Sequence, residues 1–149
     1  MIHWQWSSFD QLTGRQLYTI LAARAAVFVV EQNCPYLDTD GYDYAAEHLT
    51  GWVENDVAAY LRLLGPDTKF REPSLGRIIT TAEYRGTGAG RTMMAEGLRH
   101  AAKRYPGADV RIGAQERLQQ FYESFGFRKA SEMYLEDGIP HIEMVRPAS

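Results

Sequence analysis

The stretch from Gly76 to Gly90 constrains this chain more than any other. Ile78 to Thr81 are all β-branched and suit a pleated, packed surface, so the stretch opens as a strand. It closes in Arg85-Gly86-Thr87-Gly88-Ala89-Gly90, which is half glycine, and the residues beyond predict a helix over Arg91 to Arg104. Strand, glycine loop, helix is the order that builds an anion site. Glycines let backbone N–H groups approach a ligand, and the helix N-terminus offers unpaired donors and a partial positive charge. Arg85 adds a formal charge there, so a phosphate or pyrophosphate is the guest this chemistry suits. The loop lacks the Gly-Lys-Ser/Thr that holds a magnesium nucleotide, and Arg91 stands where a GxGxxG pattern needs glycine. On these residues alone, a plain glycine turn joining a strand to a helix remains the rival reading.

A chain of 149 residues suits one domain, residues 1–149, around one core. A net charge of −3 gives no electrostatic footprint for nucleic acid. The single cysteine, Cys34, excludes an internal disulfide and a cysteine-rich zinc site, and fits a reducing, cytoplasmic setting. The start of the chain has neither a basic nor an apolar signal region. The most apolar run, Ala22 to Val30, contains Arg24 and is too short to span a bilayer.

Ile2, Trp4 and Trp6 alternate with polar residues, predicting a half-buried strand. Thr13-Gly14-Arg15-Gln16 has capping-box spacing, with Asp10 as an earlier alternative start, and Leu17, Ile20, Leu21 and Arg24 follow at helical intervals. The mostly β-branched run Val27 to Val30 weakens the end of that helix, and Asn33-Cys34-Pro35 stops it. A tyrosine- and aspartate-rich loop covers residues 34–46. His48 to Glu54 and Val57 to Leu64 then read as two strands turning at Asn55-Asp56. After the central unit, Asp109 to Ala114 reads as a strand and Gln115 to Phe125 as an amphipathic helix closed by Gly126. A turn at Asp137-Gly138 precedes a last strand over Ile142 to Val145. The pattern predicts an α/β (α+β) fold: a mixed, twisted sheet flanked by helices.

Two blocks carry a family resemblance. Arg85-Gly86-Thr87-Gly88-Ala89-Gly90 resembles the Arg/Gln-x-x-Gly-x-Gly/Ala signature of the GNAT acyltransferases. Downstream, Tyr122-Glu123-Ser124-Phe125-Gly126-Phe127 resembles the Tyr-x-x-x-Gly-Phe ending of the helix after the second core strand in the same enzymes. The likeness runs the whole length. It is nearest to the ElaA-like branch through Val27-Phe28-Val29-Val30-Glu31-Gln32, Cys34-Pro35-Tyr36, Ala114-Gln115 and Glu136-Asp137-Gly138-Ile139-Pro140-His141. The resemblance implies a GNAT-like β-loop-α-β-α core that binds acetyl-CoA and moves its acetyl group to an amine on a small molecule or peptide. It further implies that backbone of Ile78, Ile79 and Thr80 holds the pantetheine arm, and that a bulge splays this strand from the next. Arg85, Gly86, Thr87, Gly88, Ala89 and Gly90, continuing into Arg91, would cradle the pyrophosphate. Ala82 stands where the family often has proline.

Tyr122 matches the tyrosine that protonates the departing thiolate in many relatives. A thiol titrates near roughly 8.5 and a phenol near about 10, so the transfer is not far from balanced. The rival reading is a core tyrosine on a helix face. Candidate bases for the amine are Glu31, Glu47, His48 and Glu83, with Glu31 and His48 in front; His48 has the best ordinary pKa. Ala25 to Leu61 holds seven acidic residues and no Lys or Arg, which suggests a field that draws a cationic acceptor, with a solvated acidic loop as the alternative. Cys34 reads as a packed thiol rather than a nucleophile, and His141 as either a lining of the acceptor cleft or a strand residue. The four histidines show no metal-ligand spacing, so no metal is predicted. The competing function is a non-catalytic acyl-CoA-binding or sensing domain, and the terminal strands leave monomer and homodimer both open.

Overall fold

The computed structural model describes residues 1–148. Its centre is β3 (Asp56–Leu64), whose residues are buried from Val57 onward because both faces of the strand are covered. On one side Leu61 and Leu63 meet Met93, Met94, Leu98 and Ala101 of α2 (Ala89–Arg104). On the other, Val57 and Tyr60 pack with Leu12, Ile20 and Val27, from α1 (Gly14–Ala25) and the residues around it. Gly97 makes the first contact close: a methyl group there would lie 3.0 Å from Leu61 Cδ2.

The eight-stranded sheet runs β1-β2-β3-β4-β5-β8-β6, with β7 also paired to β8. Beside β3 these are β1 (His3–Ser8), β2 (Glu47–Val53), β6 (Arg128–Lys129), β7 (Tyr134–Glu136) and β8 (Ile139–Arg146), with β4 and β5 at the middle of the order. Every pair is antiparallel except β4 (Ser74–Thr80) with β5 (Val110–Gln115), and that exception shapes the molecule. These two strands are joined at one paired position, Ser74 opposite Arg111, and then part. β4 also bulges: two steps along β3, Tyr60 to Arg62, match three along β4, Ile79 to Gly76. Arg77 takes up the extra residue at φ 50°. Among the described residues no helix is long and apolar enough to cross a membrane.

The capping box forms as its spacing predicts: Thr13 Oγ1 accepts from the Gln16 N–H and Gln16 Oε1 from the Thr13 N–H, each at 3.0 Å. The β-branched run after α1 does not merely fray. Ala26–Glu31 widens into a π turn, carried on by the Cys34 N–H to the Val29 carbonyl at 2.9 Å, and Asn33 at φ 50° ends it.

Several boundaries move. The β2–β3 turn is Glu54-Asn55, one residue earlier than predicted, because Val53 and Asp56 close the ladder. α2 begins at Ala89 rather than Arg91, since Gly88, at φ 87°, is the last residue outside helical geometry. The helix expected over Gln115 to Phe125 is a 3₁₀ turn, Glu116–Leu118, and then α3 (Gln119–Glu123), since Leu118, at φ −101° and ψ 10°, leaves helical geometry between them. The last strand, β8 (Ile139–Arg146), is longer than predicted because β5, β6 and β7 all pair with it.

Candidate active site

Where β4 and β5 part, two cavities open on either side of the gap. The larger, about 710 Å³, runs from the gap to the glycine loop, and the smaller, about 110 Å³, lies under the 34–38 loop and the β7–β8 turn. They share a wall of six residues: Phe28, Gln32, Ile78, Gln115, Leu118 and Tyr122. Four local causes bring them there. The π turn brings Phe28 and Gln32 inward. The bulge at Arg77 sets Ile78 at the lip of β4. Gln115 ends β5, and its Nε2 donates to Gln32 Oε1 at 3.2 Å across the gap. Gly126, at φ 91°, ends the segment that carries Leu118 and Tyr122.

Most of the residues singled out in the sequence lie together. Ile78, Ile79, Thr80, Arg85, Gly86, Gly88, Ala89, Gly90, Arg91, Glu31 and Tyr122 all line the larger cavity. Thr87 does not; its hydroxyl donates to the Tyr84 carbonyl at 2.6 Å and braces the loop. The N-terminus of α2 is closely seated, since a methyl group at Gly90 would lie 3.2 Å from Thr80 Oγ1. The Thr92 N–H is bonded to the Gly88 carbonyl at 3.1 Å and the Ala89 N–H reaches Thr87 Oγ1 at 3.4 Å, so the free donors of this end are those of Gly90 and Arg91. Arg85 is less free than the sequence suggests. It donates to the Thr80 carbonyl at 3.0 Å and to Glu31 Oε1 at 2.6 Å. Arg91 lies over the Phe125 ring at 4.7 Å, tying α2 to the chain end that carries Tyr122.

Tyr122 is buried, and its hydroxyl has no hydrogen-bond partner among the described residues. Burial pushes its pKa up to about 12, with Arg117 pulling slightly the other way. The phenol is therefore protonated at neutral pH but is a poorer acid than one in water. Against a thiol at its ordinary value the gap is about 3.5 pH units, or about 5 kcal/mol. A thiolate leaving in the same dry place is itself destabilised, which narrows that gap.

Neither leading base candidate stands in the smaller cavity. His48 is buried on the far side of β2, where Nε2–H donates to the Asp43 carbonyl at 3.0 Å and Nδ1 accepts from the Tyr60 hydroxyl at 2.5 Å. Both nitrogens are used, and burial lowers its pKa. Glu31 faces Arg85 at the glycine-loop end of the larger cavity. Glu47 is held by His100 and Arg104, and Glu83 sits exposed in a 3₁₀ turn.

The acidic segment is also not a free field. Asp43 Oδ1 accepts from Arg24 at 2.7 Å and from Arg62 at 3.0 Å. Asp38 holds Arg24 at 2.7 Å, and Asp40 holds Arg62 at 2.6 Å and Arg77 at 3.1 Å. Burial alone would raise the Asp43 carboxyl, but the two guanidiniums outweigh it and hold it below the usual carboxylate range. The steering charge expected from this segment is largely consumed in fixing its own loop.

Arg117, Gln32 and Phe28 line the site without having been given roles from the sequence. The Phe28 and Gln32 positions were signalled by the Val27–Gln32 block of the family resemblance and by the run that becomes the π turn, neither of which gives them a role. Among the described residues no group of three or more His, Cys, Asp or Glu is placed to hold a metal ion.

A strand parted from its parallel neighbour, facing a glycine loop and a helix N-terminus, has known counterparts. Residues 45–147 match the acetyltransferase (GNAT) domain family. The chain belongs to the GNAT acetyltransferases. Protein ElaA of Escherichia coli is 44% identical over 148 residues, covering 98% of this chain and 97% of that protein. The crystal structure of ElaA superposes with a TM-score of 0.92, covering 98% of this chain and 99% of that one. An acyl-CoA N-acyltransferase from Pseudomonas aeruginosa, 38% identical, superposes with a TM-score of 0.93 and covers 98% and 99% of the two chains. This GNAT chain is thus an N-acetyltransferase of the ElaA-like branch, and GNAT enzymes take their acetyl group from acetyl-CoA.

Proposed function

We propose that the protein transfers an acetyl group directly from acetyl-CoA to the amine of a small molecule or peptide. The observation that carries this reading is the junction of the two cavities. A donor in the larger one and an acceptor in the smaller one meet at the wall that holds Tyr122. In this reading the pyrophosphate lies on the glycine loop, shaped by Gly86 and Gly88 at φ 77° and 87°, and on the first turn of α2. The pantetheine arm runs along β4 at Ile78 and Ile79, where the strand has no partner on its β5 side. The Thr80 carbonyl is less available, being held by Arg85.

The acceptor nitrogen attacks the thioester carbon, and a backbone N–H of β4 steadies the charge on the carbonyl oxygen. The C–N bond forms, the C–S bond breaks, and Tyr122 gives its proton to sulfur. The high pKa of Tyr122 makes that transfer belong to bond breaking itself, when charge has built on sulfur, rather than to a step before it.

The test is release of free thiol from acetyl-CoA with a panel of polyamines, amino sugars, amino acids and short peptides, beside measured acetyl-CoA binding. Tyr122→Phe should bind acetyl-CoA normally and lose about 10²–10⁴-fold in kcat. Unchanged turnover at every pH would remove Tyr122 from the mechanism. Binding without acceptor-dependent release would favour a sensing domain, and failure to bind would overturn the reading of residues 85–91.

A further inference from the structure

His141 has no part in the transfer as described so far, yet it stands in the acceptor cavity. It lies on β8 opposite Gln115, level with the place where β4 and β5 have parted. It is 7% exposed, and it lines the smaller cavity. Its Nδ1 is 2.7 Å from the Ile139 carbonyl. A carbonyl only accepts, so Nδ1 carries the proton of the neutral ring and Nε2 keeps its lone pair. Glu136 Oε2 lies 3.6 Å from Nε2, too far for a hydrogen bond but close enough to hold the charged ring. Of the other charged or titratable groups, Tyr134 stacks beside the ring at 6.0 Å and Asp137 follows in the turn. Cys34, Tyr36, Asp38, Arg77 and Tyr122 line the same cavity from other elements.

We propose that His141, backed by Glu136, takes the proton from the acceptor, and that the acceptor is a small primary amine arriving as its ammonium ion. This rests on the acetyl-transfer reading above. The charge of the cavity supports the substrate class. Glu136 and Asp137 border it, while Arg77, the one Arg or Lys in its lining, is already shared between Asp38 and Asp40. An ammonium group is favoured there and an acceptor carboxylate is not.

The proton count closes. An ammonium N–H bond breaks and its proton goes to Nε2. The neutral nitrogen attacks, the C–N bond forms, and the C–S bond breaks as Tyr122 protonates the sulfur. The surplus proton on the new amide nitrogen returns through water to the Tyr122 oxygen. His141 discharges its own past Glu136, whose side chain is 42% exposed, to solvent. The products are one amide, one thiol and one released proton.

Two measurements test this on the intact protein. Nitrogen NMR of the imidazoles, with His141 assigned by its loss in His141→Gln, should show the Nδ1–H tautomer with Nε2 keeping its lone pair. An Nε2–H tautomer overturns the proposal whatever the acceptor. In the kinetic arm, His141→Gln should lose about 10²–10⁴-fold in kcat/KM with ammonium-forming amines at pH 7. It should recover as pH rises toward the pKa of the amine, with KM for acetyl-CoA unchanged. A wild-type pH profile in His141→Gln also overturns it. If wild type binds acetyl-CoA but acetylates no amine, the transfer reading fails instead, while the NMR result still decides whether His141 can accept a proton.

Discussion

Replacing Asp43 by asparagine removes one charge from a cluster whose arginines cannot reach water. The Arg24 and Arg62 side chains are each 1% exposed, and both donate to the same oxygen, Asp43 Oδ1. Breaking a buried ion pair from one side typically costs about 3–5 kcal/mol. Here Arg24 keeps Asp38 and Arg62 keeps Asp40, so the low end, about 3 kcal/mol, is the expected loss for Asp43→Asn at pH 7. With a urea slope of about 2 kcal/mol per molar, the midpoint should fall by about 1.5 M. The pH dependence follows from the direction of the shift. The folded carboxyl is held below its unfolded value of about 3.9, so wild type has the full benefit above that pH and loses it as pH falls through the folded value. Asparagine has no such titration. The gap between the two proteins should be level from about pH 8 to 5 and narrow below about pH 4. Urea melts followed by tryptophan fluorescence measure this directly. A midpoint shift under about 0.5 M at unchanged slope, or a gap that stays constant into strong acid, would refute the view that this cluster is held by charge.

Glu31→Gln should leave kcat within about twofold, because Glu31 faces Arg85 and not the acceptor cavity. Its KM for acetyl-CoA should fall, most clearly at low salt, since a carboxylate is removed beside the loop proposed to hold the pyrophosphate. His48→Gln should keep the wild-type pH profile of turnover and lose about 1–3 kcal/mol in a urea melt, because the Tyr60 hydroxyl loses a buried partner. A shifted pH profile with unchanged stability would return His48 to the reaction.

The parts of this protein that sequence made legible are those with local causes. Thr13 and Gln16 cap a helix with each other, Gly126 turns left-handed where a helix must end, and the Arg85–Gly90 run sits between a strand and a helix. The parts that were not legible depend on partners distant in sequence. His48 has a suitable pKa in isolation, but its two nitrogens meet Asp43 and Tyr60 only in the folded chain. The acidic stretch is the sharper case. A window from Ala25 to Leu61 has no basic residue, yet Arg24 and Arg62 stand immediately outside its two ends and are the residues that neutralise it. Charge counted along the chain said nothing of a loop folded back between its own flanks. The π turn was visible only as a run of β-branched residues, whose effect on a helix is easily read as weakening and not as a change of pitch.

The parting of β4 from β5 also makes the molecule mechanically two-leaved. Each leaf is stitched by its own ladders, while a single paired position crosses between them. Apart from polar contacts such as the Gln115–Gln32 hydrogen bond and the Arg111–Glu72 ion pair, what spans the seam is apolar packing: Leu61, Leu63 and Leu75 from one leaf share a core with Ile112, Ile142 and Met144 from the other, beneath α2. The strand order puts β1 at one margin and β8 near the opposite one, so tension between the two leaves must cross that line. Ladders resist shear because many bonds must break together, whereas apolar surfaces slide. The line along which the empty protein would yield first is therefore the one that makes room for a guest, and a guest bonded to both lips would serve as the rivet.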